Sequence, residues 1–144
     1  MPERVLATLH RLESDRNVWI ATADHQSARP HLIPLSLSWD GIRVVLCTPS
    51  DSVTVRNLIG SDLAKLALDS ADDVVLIDAK VEVVSLASAS SEMLDGFVRR
   101  VGWDPSRESA EMSMILLTPW VVRAWNGESE IEGRTIMRAG AWCS

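Results

Sequence analysis

A junction between an apolar run and an expected helix, "CTPSDSVTVRN" at residues 47–57, collects the groups that bind anions in proteins. Ser50, Ser52 and Thr54 offer hydroxyl donors, and the guanidinium of Arg56 adds a positive charge. Backbone N–H groups at a helix start, together with the helix dipole, favour a negative charge. The residues alone leave two readings open, namely a phosphate site and an ordinary capped helix with a solvated arginine.

The common signatures of catalytic and metal sites do not occur in this sequence. His10, His25 and His31 lack ligand spacing, and there is no HExxH motif or Cys/His cluster, so we expect no metal site. The serines near residue 50 lack the glycines of a GxSxG nucleophile, and a capping role is favoured for them. Neither GxGxxG nor GxxxxGK[ST] is present, and we therefore name no catalytic residue.

The chain has six tryptophans but no tyrosine and one phenylalanine. An indole usually packs in a core or an interface, with its N–H group on a polar partner. We expect this packing for Trp19 and Trp39. Trp103 and Trp142 lie in more polar surroundings, and we expect them either to line a ligand pocket or to form a subunit contact.

Hydrophobic spacing and turn residues predict the elements that position these groups. Residues 3–14 and 88–101 have helical spacing, and a short helix capped by Asp51 or Ser52 should run to Gly60. Six strands are expected, in "NVWIATAD", "RPHLIPLSLSW", "IRVVLCT", "LAKLALD", "VVLIDAKVEVVSL" and "MSMILLTPWVVRAW", with turns and at most one short strand in the tail. The "DG" pair at residues 40–41 predicts a hairpin. About six strands in meander order predict a mainly β antiparallel barrel with α-helices.

Composition narrows the classes of partner. A chain of 144 residues with net charge −6 and no basic run should bind nucleic acid or an anionic membrane poorly. The two cysteines form no CxxC pair, and we see neither a signal peptide nor an apolar run of membrane-spanning length. We therefore expect a cytoplasmic protein that binds a small molecule and no nucleic acid or membrane.

The segment "VWIATADHQSARPHLIPLSLSWDGIRVVLCTPSDSVTVRNL" resembles the core of the flavin- and deazaflavin-binding split β-barrels, the pyridoxamine 5′-phosphate oxidase-like superfamily. The run consists of a strand, a turn with "RPH", an apolar strand with proline, "DG", a strand ending in threonine and a hydroxyl-rich loop with "RNL". The likeness continues more weakly through "DLAKLALDSADDVVLIDAKVEVV". It implies a single FMN-binding split-barrel domain over residues 1–144 that forms a homodimer.

The resemblance also implies where a cofactor binds. FMN, or alternatively the deazaflavin coenzyme F-420, would lie between two barrels, with its ring beside the strand after "RPH" and its phosphate at the hydroxyl-rich loop. The implied cofactor-binding residues are Leu32, Ile33, Pro34, Leu35, Thr48, Ser50, Ser52, Thr54, Arg56 and Asn57. The chain departs from the family pattern at Val53 and Thr54, where members that bind phosphate tightly have a lysine or an Arg-Lys pair.

Two functions follow as hypotheses. The first is an oxidoreductase that uses a reduced flavin or deazaflavin to pass a hydride to a small organic acceptor at the dimer interface. The second is a non-catalytic protein that binds or stores a flavin or another planar ligand. In this family the cofactor carries most of the chemistry, and the protein positions the substrate against it.

Overall fold

The computed structural model describes residues 2–144 and confirms a mainly β architecture built from antiparallel strands. The helices are α1 (Glu3–Ser14), α2 (Val53–Leu58) and α3 (Ser91–Val101). The strands are β1 (Asn17–Ala23), β2 (Pro30–Ser36), β3 (Ser38–Trp39), β4 (Val44–Pro49), β5 (Leu63–Leu68), β6 (Asp73–Ser85), β7 (Met112–Asn126), β8 (Thr135–Arg138) and β9 (Ala141–Trp142). No helix in this range is long and apolar enough to cross a membrane.

The expected count of about six strands was too low, because the sheet has nine. The segment "RPHLIPLSLSW" is divided into β2 and β3 at Leu37, whose backbone N–H donates to the carbonyl of Arg16 at 2.9 Å. The tail contains two short strands, β8 and β9, where at most one was expected. Pairs as short as these leave almost no hydrophobic period in the sequence.

The sheet runs in the order β2-β1-β5-β6-β7-β4-β3, and β8 pairs with β7 and β9. Strand β7, 15 residues long, pairs with β6 on one side and with β4 on the other. The register shifts between Asp78 and Ala79, opposite Pro119, which makes the pairing of β6 and β7 irregular at that proline. The sheet curls so far that β2 comes into contact with β4 near the opposite end, although no ladder joins the two strands within residues 2–144.

Apolar side chains fill the inside of this curl. The fully buried strand residues include Val18, Ile20, Leu46, Leu66, Ile77, Ile115 and Leu117. Helix α1, observed at the predicted residues, contributes Val5 and Leu12 to the same core. Burial of such side chains contributes about 1.5–3 kcal/mol each, so the apolar alternation of the strands dominates the stability of the barrel.

Helix α3 covers a second, smaller core on the outer side of β4 and β7. Its Phe97 packs with Cys47 and Met114 of those strands. The helix begins at Ser91, later than expected, because the hydroxyl of Ser90 accepts the N–H of Met93 and fixes the start. It ends at Gly102, which has a left-handed backbone (φ 81°) and directs the chain toward Trp103.

The two glycines of α3 should respond oppositely to alanine substitution. Gly102→Ala places a Cβ on a left-handed residue and should lower the free energy of unfolding by about 1 kcal/mol. Gly96→Ala lies inside the helix, where the nearest atom a Cβ would meet is Nη2 of Arg99 at 4.0 Å, and should raise it by about 0.5–1 kcal/mol. Urea denaturation measures both, and stabilisation by Gly102→Ala would contradict this account of the helix end.

Candidate functional site

A cleft of about 640 Å³ lies where β2 and β4 meet without pairing. We call it the seam cleft. It is lined by Asn17, Trp19, Pro34, Leu35, Ser36, Cys47, Thr48, Pro49, Asp69, Trp103, Glu108, Ala110 and Met112. These residues come from the start of β1, the ends of β2 and β4, the start of β7 and the loop after α3. The volume lies within the range that small-molecule ligands occupy in proteins.

Two unpaired strand edges border the seam cleft. Strand β2 pairs only with β1, and β4 pairs with β3 only at Val44 and Val45, so the stretch from Leu46 to Pro49 has no strand partner on that side in the described part of the chain. A strand edge presents N–H and C=O groups, which bind water or a ligand when no other strand covers them. The cleft therefore combines apolar walls with backbone hydrogen-bonding groups.

Two indole rings line the cleft, and the N–H group of each one donates a hydrogen bond to a carboxylate. Nε1 of Trp103 donates to Oε1 of Glu108 at 2.9 Å, and Nε1 of Trp19 lies 3.4 Å from Oδ1 of Asp69. Trp103 also packs edge-on against Phe97, with ring centroids 6.0 Å apart. Trp103 thus lines a cavity, and its role in binding a ligand stays a prediction. The ring of Trp19 lies outside the barrel core, on the outer face of β1 beside Pro34, and its N–H has the polar partner that was expected.

The loop from Trp103 to Glu108 is held by a short turn. The carboxylate of Asp104 accepts the hydroxyl of Ser106 at 2.6 Å and its backbone N–H at 3.0 Å. These bonds lower the pKa of Asp104, which therefore stays ionised and keeps the turn at neutral pH. The turn places Glu108 within reach of the indole of Trp103.

The predicted ring neighbours divide into two groups. Pro34, Leu35 and Thr48 line the seam cleft. Leu32 is 60% exposed on the outer face of the sheet, and Ile33 packs against the barrel core. The division follows position along β2, because each face of the strand contributes one residue to each group and the cleft lies at the end of the strand.

Three residues of the predicted phosphate loop have partners within the protein. The hydroxyls of Ser50 and Ser113 lie 2.7 Å apart. Ser52 accepts the N–H of Val55 at 3.2 Å and caps α2, as the pattern predicted. Asn57 is buried and donates through Nδ2 to the hydroxyl of Thr22 at 3.1 Å, which ties α2 to β1.

The other two residues of the loop differ in exposure. Thr54 is fully buried, and its hydroxyl has no hydrogen-bond partner in residues 2–144. Arg56 is exposed and forms no ion pair with the described residues. Of the whole loop, Arg56 is therefore the side chain that can meet an anion from solvent.

The sequence offered no signal for several residues that line the cleft. Asn17, Asp69, Glu108 and Met112 stand far apart in the chain and belong to no motif. Only the curl of the sheet brings them together. No group of three or more His, Cys, Asp or Glu side chains with the arrangement of a metal site occurs in residues 2–144.

Solved structures share this architecture. No protein-family model and no curated protein matches the chain. A Nostoc punctiforme protein described as pyridoxamine 5′-phosphate oxidase-related and FMN binding aligns with TM-score 0.59 and 16% identity, over 86% of this chain and 83% of its own. An F-420 reductase aligns with TM-score 0.64 and 16% identity, over 78% and 93%. A heme-binding protein from Mycobacterium smegmatis aligns with TM-score 0.73 and 18% identity, over 97% of this chain but 59% of its own.

These alignments establish the fold. At such low sequence identities the alignments do not assign roles to individual residues. The resemblance stated from the sequence is confirmed as a shared split-barrel architecture. The three proteins are described as binding or using different ligands, which are FMN, F-420 and heme. One fold thus serves several planar groups, as expected when function depends on the site rather than the scaffold.

The thiol of Cys47 should be slow to react. Burial raises its pKa to about 11, so about one molecule in a thousand carries the thiolate at pH 8. In Cys143→Ser protein, alkylation of Cys47 should accelerate about tenfold per pH unit up to about pH 11, while the protein stays folded. Rapid alkylation near pH 7 would contradict the burial of this thiol. Cys47→Ser protein, which keeps the half-exposed Cys143, serves as the control.

Proposed function

We propose, from the split-barrel fold that this chain shares with the pyridoxamine 5′-phosphate oxidase-like proteins, that it is a flavin- or deazaflavin-dependent oxidoreductase. The supporting observation is the seam cleft, which has indole walls, unpaired strand edges and room for a planar ring. The cofactor is FMN or, alternatively, coenzyme F-420, and either one supplies hydride transfer when bound. The substrate is a small organic molecule.

The residues of the seam cleft fit such a ring. Pro34 and Leu35 offer an apolar wall, and Thr48 lies beside them at the end of β4. The edge groups of β2 and β4 can satisfy the polar rim of a heterocycle, as backbone groups do in many ligand sites. In this proposal the protein binds and orients the ring and excludes water from it.

Arg56 is the proposed partner of the cofactor phosphate. It is the exposed cation of the loop that follows β4, and Pro49 at the start of that loop lines the seam cleft. Val53, one of the two positions at which the family pattern has a basic residue, is 40% exposed. The other, Thr54, is fully buried, so a lysine there would enter the core. Arg56 therefore carries the anion contact without a second cation beside it.

A homodimer would complete the site. The outer face of β2, β1 and β5 carries Leu32, Pro34, Trp19, Ala67 and Leu63, and none of these is buried. Next to them, Asp78 bridges Lys65 and Arg123 at 3.2 Å each, so the one carboxylate is paired twice and this cluster carries a net positive charge. Apolar patches of this kind mark interfaces. The seam cleft shares Trp19 and Pro34 with this face, and a second copy packed there would cover the cleft.

A non-catalytic binding protein is the second candidate. The cleft offers no histidine, and its Cys47 stays protonated at neutral pH, so a general acid or base would have to be Asp69 or Glu108. Both carboxylates already bind indole N–H groups. Reduction of the bound cofactor, followed by addition of candidate acceptors, separates the two functions. Reoxidation by a small molecule under exclusion of oxygen supports the enzyme, and binding without turnover supports storage.

Cofactor titrations test the site directly. Fluorescence or absorbance titration should show that FMN or F-420 binds and that Arg56→Ala weakens binding about tenfold at low salt, with a smaller effect at high salt. Val53→Lys should strengthen FMN binding and leave riboflavin, which has no phosphate, unaffected. Failure of the unmodified protein to bind any of these ligands would refute the proposed function.

The dimer should depend on the outer face. Leu32→Glu places a charge on this face and should convert a dimer to a monomer in sedimentation experiments at micromolar concentration, with little change in thermal stability. Ile42→Glu is the matched control, because Ile42 is 72% exposed in the turn between β3 and β4. A monomeric unmodified protein, or equal effects of the two substitutions, would rule out this interface.

A further inference from the structure

We propose that Arg16 and Arg100 form an anion-binding pocket next to the seam cleft. The two arginines line a cavity of about 390 Å³ together with Asn17, Ser36, Leu37 and Val101. We call this cavity the arginine pocket. It accepts a phosphate or carboxylate group.

The two arginines reach the pocket from distant parts of the chain. Arg16 lies between α1 and β1, and Arg100 lies in the last turn of α3. Nη2 of Arg100 donates to the backbone carbonyl of Asp15 at 2.8 Å, which fixes its guanidinium beside the α1–β1 connection. Its remaining N–H donors can bind an anion, because a guanidinium carries five.

Acidic side chains do not neutralise this pair. None of the residues that line the pocket is acidic, and neither arginine forms an ion pair with any described residue. The adjacent Asp15 is bound by Arg11 at 2.8 Å, and Asp69, which shares a neighbouring hollow with Arg16, lies beside the indole of Trp19. In a chain of net charge −6, two arginines that line one cavity with no acidic residue in its lining form a local positive site.

The arginine pocket is a neighbour of the seam cleft. Asn17 and Ser36 line both cavities. The lining of the seam cleft contains carboxylates and no cation, whereas the lining of the arginine pocket contains cations and no carboxylate. A ligand with a planar part in the seam cleft and an anionic part in the arginine pocket would match these two linings. This link to the cleft rests on the proposed function, but the anion site itself rests on its own residues.

The anion can come from two sources with the same chemistry. It is either the phosphate of the bound cofactor or the charged group of a separate small molecule that lies next to the cofactor. Arg56, on the loop after β4, is the competing position for the cofactor phosphate. Substitutions in the arginine pocket and at Arg56 therefore show whether the anion is the cofactor phosphate or belongs to a separate molecule.

Inorganic phosphate is the probe for the pocket. In NMR titrations at low salt, we expect saturable shifts of the backbone amides of Arg16, Asn17, Leu37 and Val101. Arg16→Gln should weaken phosphate binding about tenfold, because one charge-assisted contact is lost, and added chloride should weaken it in the unmodified protein. Arg16 is exposed, so this variant should fold normally. Arg100→Gln should weaken phosphate binding similarly, with its stability checked by thermal unfolding.

Arg99→Gln is the matched control, since Arg99 neighbours Arg100 on α3 but lines a different cavity. Phosphate binding that persists in Arg16→Gln protein, shifts confined to the loop around Arg56, or no saturable shifts at all would overturn the proposal. This titration contains no flavin, so its result is independent of the proposed function. Flavin titrations of the Arg16→Gln and Arg100→Gln variants then identify the source of the anion. If these variants lose affinity for FMN but not for riboflavin, the anion is the cofactor phosphate. If their affinity for both flavins is unchanged, the anion belongs to a separate molecule.

Discussion

The structure depends on a sheet that curls into a barrel but does not close by hydrogen bonds. Strands β2 and β4 touch, yet each leaves an edge without a ladder partner in the described chain. Leu37 marks where β2 ends, because its N–H makes the last bond in the β1–β2 register, to the carbonyl of Arg16, and the chain then pairs with β4 through β3. Open strand edges invite association with other chains, and proteins normally cover them. Here the residues around the edges form a cleft with indole walls, the seam cleft.

The chemistry available in the seam cleft depends on which of its polar groups already have hydrogen-bond partners within the protein. Both indole N–H groups have carboxylate partners, and the thiol of Cys47 is buried and protonated. What is left for a ligand is apolar surface, ring faces, backbone groups and the polar side chains of Asn17, Ser36 and Thr48. Under the proposed function, this site would hold a planar molecule in a fixed position and leave the reactivity to that molecule.

Ion pairs connect α1 to the barrel. Arg4 and Arg11 both reach Asp73 at the start of β6, and Arg11 also binds Asp15. These pairs hold α1 across the end of the barrel, although partly exposed pairs contribute little energy each. Arg16, Arg56 and Arg100 stand outside such pairs among residues 2–144. They lie near the two cavities and the loop where a ligand anion would be expected.

The sequence by itself determined the helix at Glu3–Ser14, the cap at Ser52, the hairpin after Trp39 and the six long strands, because each depends on local period or turn chemistry. It also indicated Pro34, Leu35 and Thr48 as cleft residues, through the resemblance to the split barrels. Only the tertiary structure decided that Thr54 and Asn57 are buried, and that Trp19, Glu108 and Arg100 stand beside cavities. The physical reason is that the curl of the sheet sets which strand ends meet and which face of a residue is covered. Those contacts join residues tens of positions apart, and no local pattern records them.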